Sequence, residues 1–304
     1  MYQVLNTSRQ AFHAKLDRYM LRQEQYHQLA EIIRQFREDH PKMSLRDAYI
    51  VIHPAGIGRD RFEQYLKSQG FGVRRRKSFR RTTNSRGVIR FDNLIEGLKL
   101  THVNQVWVSD ITYFQIGDKF YYLTFIMDLY SRRILGYHAS ERLLTEFTTI
   151  PALLMAFQVR GLTKYPGLII HSDGGGQYYC KEFRKLTEAA EMINSMGKTV
   201  YENPHAERIN GIIKNNYLVD YAPISLKDLQ KKLKKAVRMY NEQKPHSALN
   251  KLNPVDFEKQ LITKDIESEN NLAGYCPLPT SNHDNNKKVF LNPKPKKTVN
   301  VFQA

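Results

Sequence analysis

The chain has 304 residues, a formal net charge of +17 and a sequence pI near 9.7. That length allows two or three domains with a sizeable core, and that charge points to a polyanionic partner, either nucleic acid or an acidic membrane. Two cysteines, Cys180 and Cys276, leave no disulfide framework or cysteine-rich zinc site, and no apolar run approaches the roughly twenty residues of a membrane helix.

In chain order, residues 1–40 carry helical signals. Leu5, Phe12, Leu16 and Tyr19 fall near helical spacing behind the cap candidates Asn6, Thr7 and Ser8. Tyr26, Leu29, Ile32, Ile33 and Phe36 continue as an amphipathic face, and His40-Pro41 ends it. Ser44 is placed to cap a helix through Leu45, Ala48, Tyr49 and Ile52. After Pro54 and Gly56, Arg59–Ser68 reads as a further helix closed by Gly70. Short helices separated by tight turns, the last one basic, predict a helix-turn-helix-like module. Arg59–Arg90 holds eleven basic residues against Asp60 and Glu63, which is over half of the net charge. Within it, Arg74, Arg75, Arg76, Lys77, Arg80 and Arg81 sit in an aliphatic-poor linker suited to tracking phosphates.

From Gln105 the texture changes. Val106–Phe114, Phe120–Leu129 and Arg133–His138 predict three antiparallel strands joined at Gly117-Asp118 and at Tyr130-Ser131-Arg132. A helix over Thr145–Val159 is expected to turn Phe147, Ile150, Leu153, Leu154 and Phe157 inward. Leu168–Ser172 is a near-continuous apolar run, as in a strand buried on both faces. A helix over Cys180–Met192, a short strand Ile193–Met196 and a helix over His205–Leu218 follow. This order predicts an α/β fold, a mixed sheet with flanking helices. Leu226–Asn241 is a strongly basic helix with Leu229, Leu233, Val237 and Tyr240 as its apolar stripe, and Asn253-Pro254 starts another. From about Thr263 the chain is polar and aperiodic and is expected to be a tail, with a short extended patch at Val289–Leu291.

Three acids stand out. Asp110 lies inside the strand-forming run Trp107–Tyr113, with no Lys or Arg between Lys99 and Lys119. An acid there has to be paired, hydrated or bound to a cation. Asp173 ends the Leu168–Ser172 run, and Glu207 follows Asn203-Pro204-His205-Ala206 at a helix start. A strand acid, a strand-end acid and a helix acid can converge on hard divalent cations through oxygen. Two Mg²⁺ ions about 3.5–4 Å apart suffice for in-line attack on a phosphodiester without His or Cys ligands. Asp128 reads as a turn acid, His171 and His205 as satisfied side chains, and Gly174-Gly175-Gly176 as an active-site loop, since it lacks the Lys and Ser/Thr of a nucleotide loop. Taken alone, Asp173 before three glycines is equally a turn residue.

These residues carry a resemblance. Trp107-Val108-Ser109-Asp110-Ile111-Thr112-Tyr113, His171-Ser172-Asp173-Gly174-Gly175-Gly176-Gln177-Tyr178 and Asn203-Pro204-His205-Ala206-Glu207-Arg208 resemble the three acidic motifs of bacterial insertion-sequence transposases of the DDE type. Asp128–Gly136 resembles that family's second-to-third strand turn, and Tyr240-Asn241, Pro245–Leu249 and Asn253-Pro254 resemble the segment after its core. The resemblance implies a retroviral-integrase-like catalytic core of ribonuclease H fold. It maps the catalytic and metal-holding acids onto Asp110, Asp173 and Glu207, and an accompanying basic position onto Lys214. Between Asp110 and Asp173 lie 62 residues, and between Asp173 and Glu207 lie 33, slightly fewer than the family's usual gap of about 35.

The implied protein is a transposase that cleaves element ends and joins the freed 3′-hydroxyl to target DNA, using two Mg²⁺ or Mn²⁺ ions. Its implied partners are the terminal repeats and target duplex, and a second copy of itself on DNA. No membrane is implied, and a cytoplasmic, nucleoid-associated location is expected, in keeping with an N-terminus that has no apolar signal core. A metal-dependent nuclease on the same core and a non-catalytic DNA-binding derivative are the alternatives. The expected layout is a helical DNA-binding region (1–73), a basic linker (74–100), the ribonuclease H-like core (101–222), a basic helical extension (223–262) and a polar, basic tail (263–304).

Overall fold

Alternation along one strand sets out the layers. In the computed structural model, β1 (Val106–Ile116) turns Val106 and Val108 to one face and Trp107 to the other, all essentially inaccessible to solvent. The structure describes residues 8–73, 91–197 and 203–273, with side chains up to residue 263. β1 pairs antiparallel with β2 (Lys119–Asp128), and β2 antiparallel with β3 (Ile134–Ser140). On its other side β1 pairs in parallel with β4 (Ile169–Ser172), which pairs in parallel with β5 (Ile193–Met196). The sheet order is β3-β2-β1-β4-β5. Three antiparallel strands followed by two parallel ones, with helices on both faces, form the expected ribonuclease H-like mixed sheet.

Two helical layers cover the sheet. On the Val106/Val108 face lie α6 (Pro204–Ile213) and α8 (Leu226–Glu242), contributing Ile209, Ile213, Leu229 and Leu233 to one core. On the Trp107 face lie α4 (Thr149–Arg160) and α5 (Lys181–Ala189), contributing Ala152, Leu153, Ala156 and Phe183. The Trp107 ring meets Tyr165 edge to face with centroids 5.0 Å apart.

Gly136 in β3 lets α4 approach closely, because a Cβ at that position would lie 1.9 Å from the Ala152 carbonyl oxygen. The same helix departs from the sequence expectation. The helix expected over Thr145–Val159 is a 3₁₀ turn at Thr145–Phe147, broken at Thr148, before α4 begins at Thr149. Its sheet-facing side is made of Thr149, Ala152, Leu153 and Ala156, while Phe147 and Leu154 are exposed. Small residues face the sheet because the backbones are too close for large ones.

A second departure follows α6. The helix expected over His205–Leu218 starts one residue earlier, at Pro204, and changes at Lys214 into a π-helical turn, Lys214–Leu218, followed by α7 (Val219–Tyr221). The third concerns the tail. α9 (Pro254–Ala273) runs ten residues past Thr263, the point at which the sequence loses its period. The patch at Val289–Leu291 lies outside the described residues.

A buried ionic cluster fastens the start of α9 to the core. Glu258 accepts from Ser131 Oγ at 2.6 Å, Arg133 Nη1 at 2.6 Å, and Arg160 Nη1 and Nη2 at 2.9 and 2.8 Å. Arg160 also donates to Asp128 at 3.0 Å. Asp128 Oδ1 accepts from the amides of Tyr130 and Ser131, and Oδ2 from that of Asn104, so this acid is the structural turn residue that its position suggests.

The N-terminal helices begin near their sequence signals, but the two amphipathic stretches expected before His40 form one 31-residue helix instead of separate short ones. α1 (Arg9–Asp39) is capped by Ser8, α2 (Leu45–Ile52) by Ser44, and α3 (Arg59–Ser68) follows Gly58. Leu29, Ile33, Leu45, Ala48, Phe62 and Leu66 form their shared core, whereas Leu16 and Tyr19 on the first half of α1 are exposed. This module is tied to α7 and α8. The Tyr221 hydroxyl donates to the Asp39 carbonyl at 2.6 Å, Lys235 pairs with Asp39 at 2.8 Å, and His40 hydrogen-bonds Gln243 at 2.7 Å. Among the described residues, no helix is long and apolar enough to cross a membrane.

Candidate active site

The β1/β4 register brings two of the three acids together. The paired register ends at Val108 opposite His171, two residues before Asp110 on one strand and Asp173 on the other, and the two carboxyls are near enough for Asp173 to raise Asp110. Asp110 shares the face of Val106 and Val108, the face that α6 covers. β4 has ended at Ser172, so Asp173 opens the loop beyond it. The Asp173 Oδ1 accepts the Gly175 amide at 3.1 Å, which makes Asp173 a turn residue as well as a candidate ligand. A Cβ on Gly175 would sit 3.1 Å from that same oxygen.

The third acid comes from α6. Asn203 occupies the N-cap position and Pro204 the first helical one, as their types favour. The Asn203 side chain does not cap, however. Its Nδ2 donates to the Ser109 carbonyl at 2.9 Å and pins the helix start against β1. Glu207 is exposed in the first turn. One turn on, Asn210 Nδ2 donates to Asp110 Oδ2 at 2.6 Å, while the Ile111 amide donates to Asp110 Oδ1 at 2.9 Å. Asn210 Oδ1 is buried without a hydrogen-bond partner among the described residues. Lys214 Nζ donates to Thr112 Oγ1 at 2.7 Å and to the Tyr113 carbonyl at 3.3 Å, and lies 5.5 Å from the centroid of the Tyr113 ring. It therefore borders the acids, and the π-helical turn that starts there sets its direction.

On the Trp107 face of β1, opposite Asp110, Tyr178 is fully buried and its hydroxyl hydrogen-bonds Ser109 Oγ at 2.8 Å. Ser109 Oγ in turn donates to the Phe125 carbonyl at 2.9 Å. The Tyr179 hydroxyl donates to the Gly174 carbonyl and closes the glycine loop. His171 hydrogen-bonds Ser195 and His205 hydrogen-bonds Arg132, so both histidines have partners inside the fold.

Electrostatics mark this cluster. Burial, and then the neighbouring Asp173, push the Asp110 carboxyl up to about 8 from 3.8, with Glu207 adding to the rise. The Ile111 amide and the Lys214 ammonium oppose it. Burial also raises Asp173, against the Gly175 amide, and lowers Lys214, against the charge of Asp110. Burial and the two aspartates hold the Tyr178 phenol well above its usual value. The all-oxygen chemistry of these carboxyls and the orphaned Asn210 Oδ1 fit a hard divalent cation. Among the described residues, no three His, Cys, Asp or Glu side chains already stand as a ready metal-holding group. Like-charged carboxylates close up only around a counter-charge.

Of the residues expected from sequence, Asp110, Asp173, Glu207 and Lys214 come into one electrostatic neighbourhood. Arg74, Arg75, Arg76, Lys77, Arg80 and Arg81 lie outside the described residues, as does Glu202. Sequence reasoning missed Ser109, Tyr178 and Asn203 as parts of the site. Asn210 shares the Glu207 face by helical spacing, but nothing in the sequence revealed its bond to Asp110.

An integrase core domain family model matches residues 101–200, and a second model of the same description matches residues 189–254. The insertion element IS600 uncharacterized 31 kDa protein of Shigella sonnei is 32% identical over 209 residues, covering 67% of this chain and 76% of that protein. The transposase for insertion sequence element IS629 of Shigella sonnei is 30% identical, covering 60% of this chain and 62% of that protein, so the chain spans less than two thirds of it. The HTLV-2 integrase catalytic core domain in complex with magnesium is 23% identical at a TM-score of 0.42, over 51% of this chain and 95% of that one. The chain belongs to the bacterial insertion-sequence transposases with an integrase-like core.

Proposed function

We propose that the protein is a DDE polynucleotidyl transferase that cleaves the ends of its element and joins the freed 3′-hydroxyl to target DNA. The observation that supports this reading is the electrostatic reach of Asp173 and Glu207 to Asp110, with Asp110 and Asp173 each two residues beyond the last β1/β4 pair. In this reading Asp110, Asp173 and Glu207 hold two Mg²⁺ or Mn²⁺ ions. Bound there, the ions would activate the attacking oxygen and neutralise the leaving one. The chain's own residues prepare the site. Asn210 and the Ile111 amide orient the Asp110 carboxylate, Asn203 seats the helix that carries Glu207, and Tyr178 with Ser109 braces β1 from the opposite face. Lys214 supplies a positive charge at the rim, suited to a DNA phosphate. Water first breaks a phosphodiester at the element end, and the released 3′-hydroxyl then breaks and replaces one in the target. No enzyme–DNA bond and no nucleotide cofactor are involved.

In the same reading the N-terminal helices and residues 74–81 hold terminal-repeat DNA, and the chain works as a homo-oligomer on that DNA. The five-part layout from helical region to tail belongs to this proposal. The test is a labelled end-containing duplex incubated with a second duplex and Mg²⁺. Wild-type protein is expected to cleave and join, while folded Asp110→Asn and Asp173→Asn bind the end and do neither. Strand joining by Asp110→Asn would remove that residue from the mechanism. Cleavage without joining by the wild type would make the protein a nuclease on this core.

A further inference from the structure

The basic helix α8 has two kinds of cation. Lys232 is paired with Asp228 at 2.8 Å, and Lys235 with Asp39 at 2.8 Å. Lys227, Lys231, Lys234 and Arg238 are exposed, and none has an ion pair among the described residues. Their spacing of four, three and four places them on one face. At 1.5 Å per residue this row is about 16 Å long, close to five steps along one strand of a duplex.

The orientation of this face is fixed. β3 is an outer strand of the sheet, and α8 lies against it. Asn241 Oδ1 accepts the Ile134 amide at 2.9 Å, and Asn241 Nδ2 donates to the Ile134 carbonyl at 2.8 Å. Near the other end of the helix, Gln230 Nε2 donates to the Ala139 carbonyl at 3.0 Å. These bonds satisfy backbone groups of β3 and stop the helix from rolling. Lys231, Lys234 and Arg238 then line a groove of about 400 Å³, facing Ile134, Tyr137 and Val159. Glu242 is the one carboxylate on the groove wall and lies at its C-terminal end.

A pre-oriented row of unpaired cations costs little to desolvate against phosphates and loses little side-chain freedom in place. We propose that the Lys227–Lys231–Lys234–Arg238 face is a sequence-independent contact for the backbone of duplex DNA, made by residues other than those of the acid site. The inference rests on the DNA-processing reading above, and it assigns that DNA a second place on the protein.

The test is equilibrium binding to an end-free duplex in EDTA over a range of salt concentrations, which leaves chemistry out. Lys227→Gln, Lys231→Gln, Lys234→Gln and Arg238→Gln are combined. Each phosphate that is no longer neutralised lowers the log–log salt slope by about 0.9, so the expected decrease lies between about 1.8 and 3.6. Lys227→Arg, Lys231→Arg and Lys234→Arg together should keep the wild-type slope. A matched variant that neutralises the scattered, exposed Lys15, Lys119, Lys164 and Lys259 should change the slope by less than about 0.9. A decrease below about 0.9 in the α8 variant, or an equal decrease in the matched variant, overturns the proposal. So does a decrease seen with an RNA duplex and not with DNA. Wild-type protein that fails to bind any duplex defeats the DNA-processing reading itself, whereas normal wild-type binding with an unaffected α8 variant defeats this inference alone.

Discussion

Replacing Asp110 by Asn should make the protein more stable while ending its chemistry. The carboxyl titrates near 3.8 in an unfolded chain and is pushed up to about 8 in the fold. The folded state therefore holds the proton more tightly than the unfolded state does. Its penalty is absent below about pH 4, grows as the pH rises, and is complete above about pH 8. Across that window each pH unit is worth about 1.4 kcal/mol, so the penalty reaches roughly 4 kcal/mol at pH 7. An Asn can keep an acceptor toward Asn210 or toward Ile111 but not both, so about 1 kcal/mol of hydrogen bonding is lost. The net expectation at pH 7 is a gain of roughly 3 kcal/mol.

The assay is chemical denaturation in EDTA from pH 5 to pH 8. The advantage of Asp110→Asn over wild type should widen by about 1.4 kcal/mol per unit between pH 5 and pH 7. Adding Mn²⁺ should then stabilise the wild type, whose carboxyl ionises around the cation, and leave Asp110→Asn unmoved. An Asp110→Asn protein less stable than wild type at pH 8, or one with an unchanged pH slope, would refute the burial of Asp110 beside Asp173.

Other outcomes follow from the same structure. Glu207→Gln should eliminate cleavage and joining while preserving the fold, since Glu207 is exposed and helix-held, whereas Glu202→Gln, in the segment before the helix, should keep most of the activity; the reverse result would make Glu202 the third acid. Gly136→Ala should cost at least about 3 kcal/mol by urea denaturation, because its Cβ meets the backbone of α4 rather than a movable side chain. Glu258→Ala should cost about 3–5 kcal/mol by leaving Arg160 and Arg133 without their buried partner, and a loss under 1 kcal/mol would show the cluster to be dispensable. Replacing Arg74, Arg75, Arg76 and Lys77 with Ala should lower the salt slope of DNA binding by about 0.9 for each phosphate that is no longer neutralised, and an unchanged slope would make the run a solvated linker.

Local chemistry made much of this protein legible from its sequence. Ser8 and Ser44 cap the helices that they precede, Arg59–Ser68 is a helix and Ile193–Met196 a strand, because capping and alternation act over a few residues. Asp110 and Asp173 stood out for a similar reason, since a carboxylate within or at the end of an apolar strand is a local anomaly, and Glu207 stood out as an acid at a helix start. Longer-range features were not legible. The break at Thr148, the exposure of Phe147 and Leu154 and the close approach of Ala152 to Gly136 arise only in the packed structure. The bond from Asn210 to Asp110, the burial of Tyr178 under both aspartates and the capture of Glu258 by Arg160 join residues far apart in the chain. Periodicity records which face of an element is apolar, but the distance between two faces and the polar atoms that meet there are set only when the β1/β4 register and the seating of α6 are fixed together.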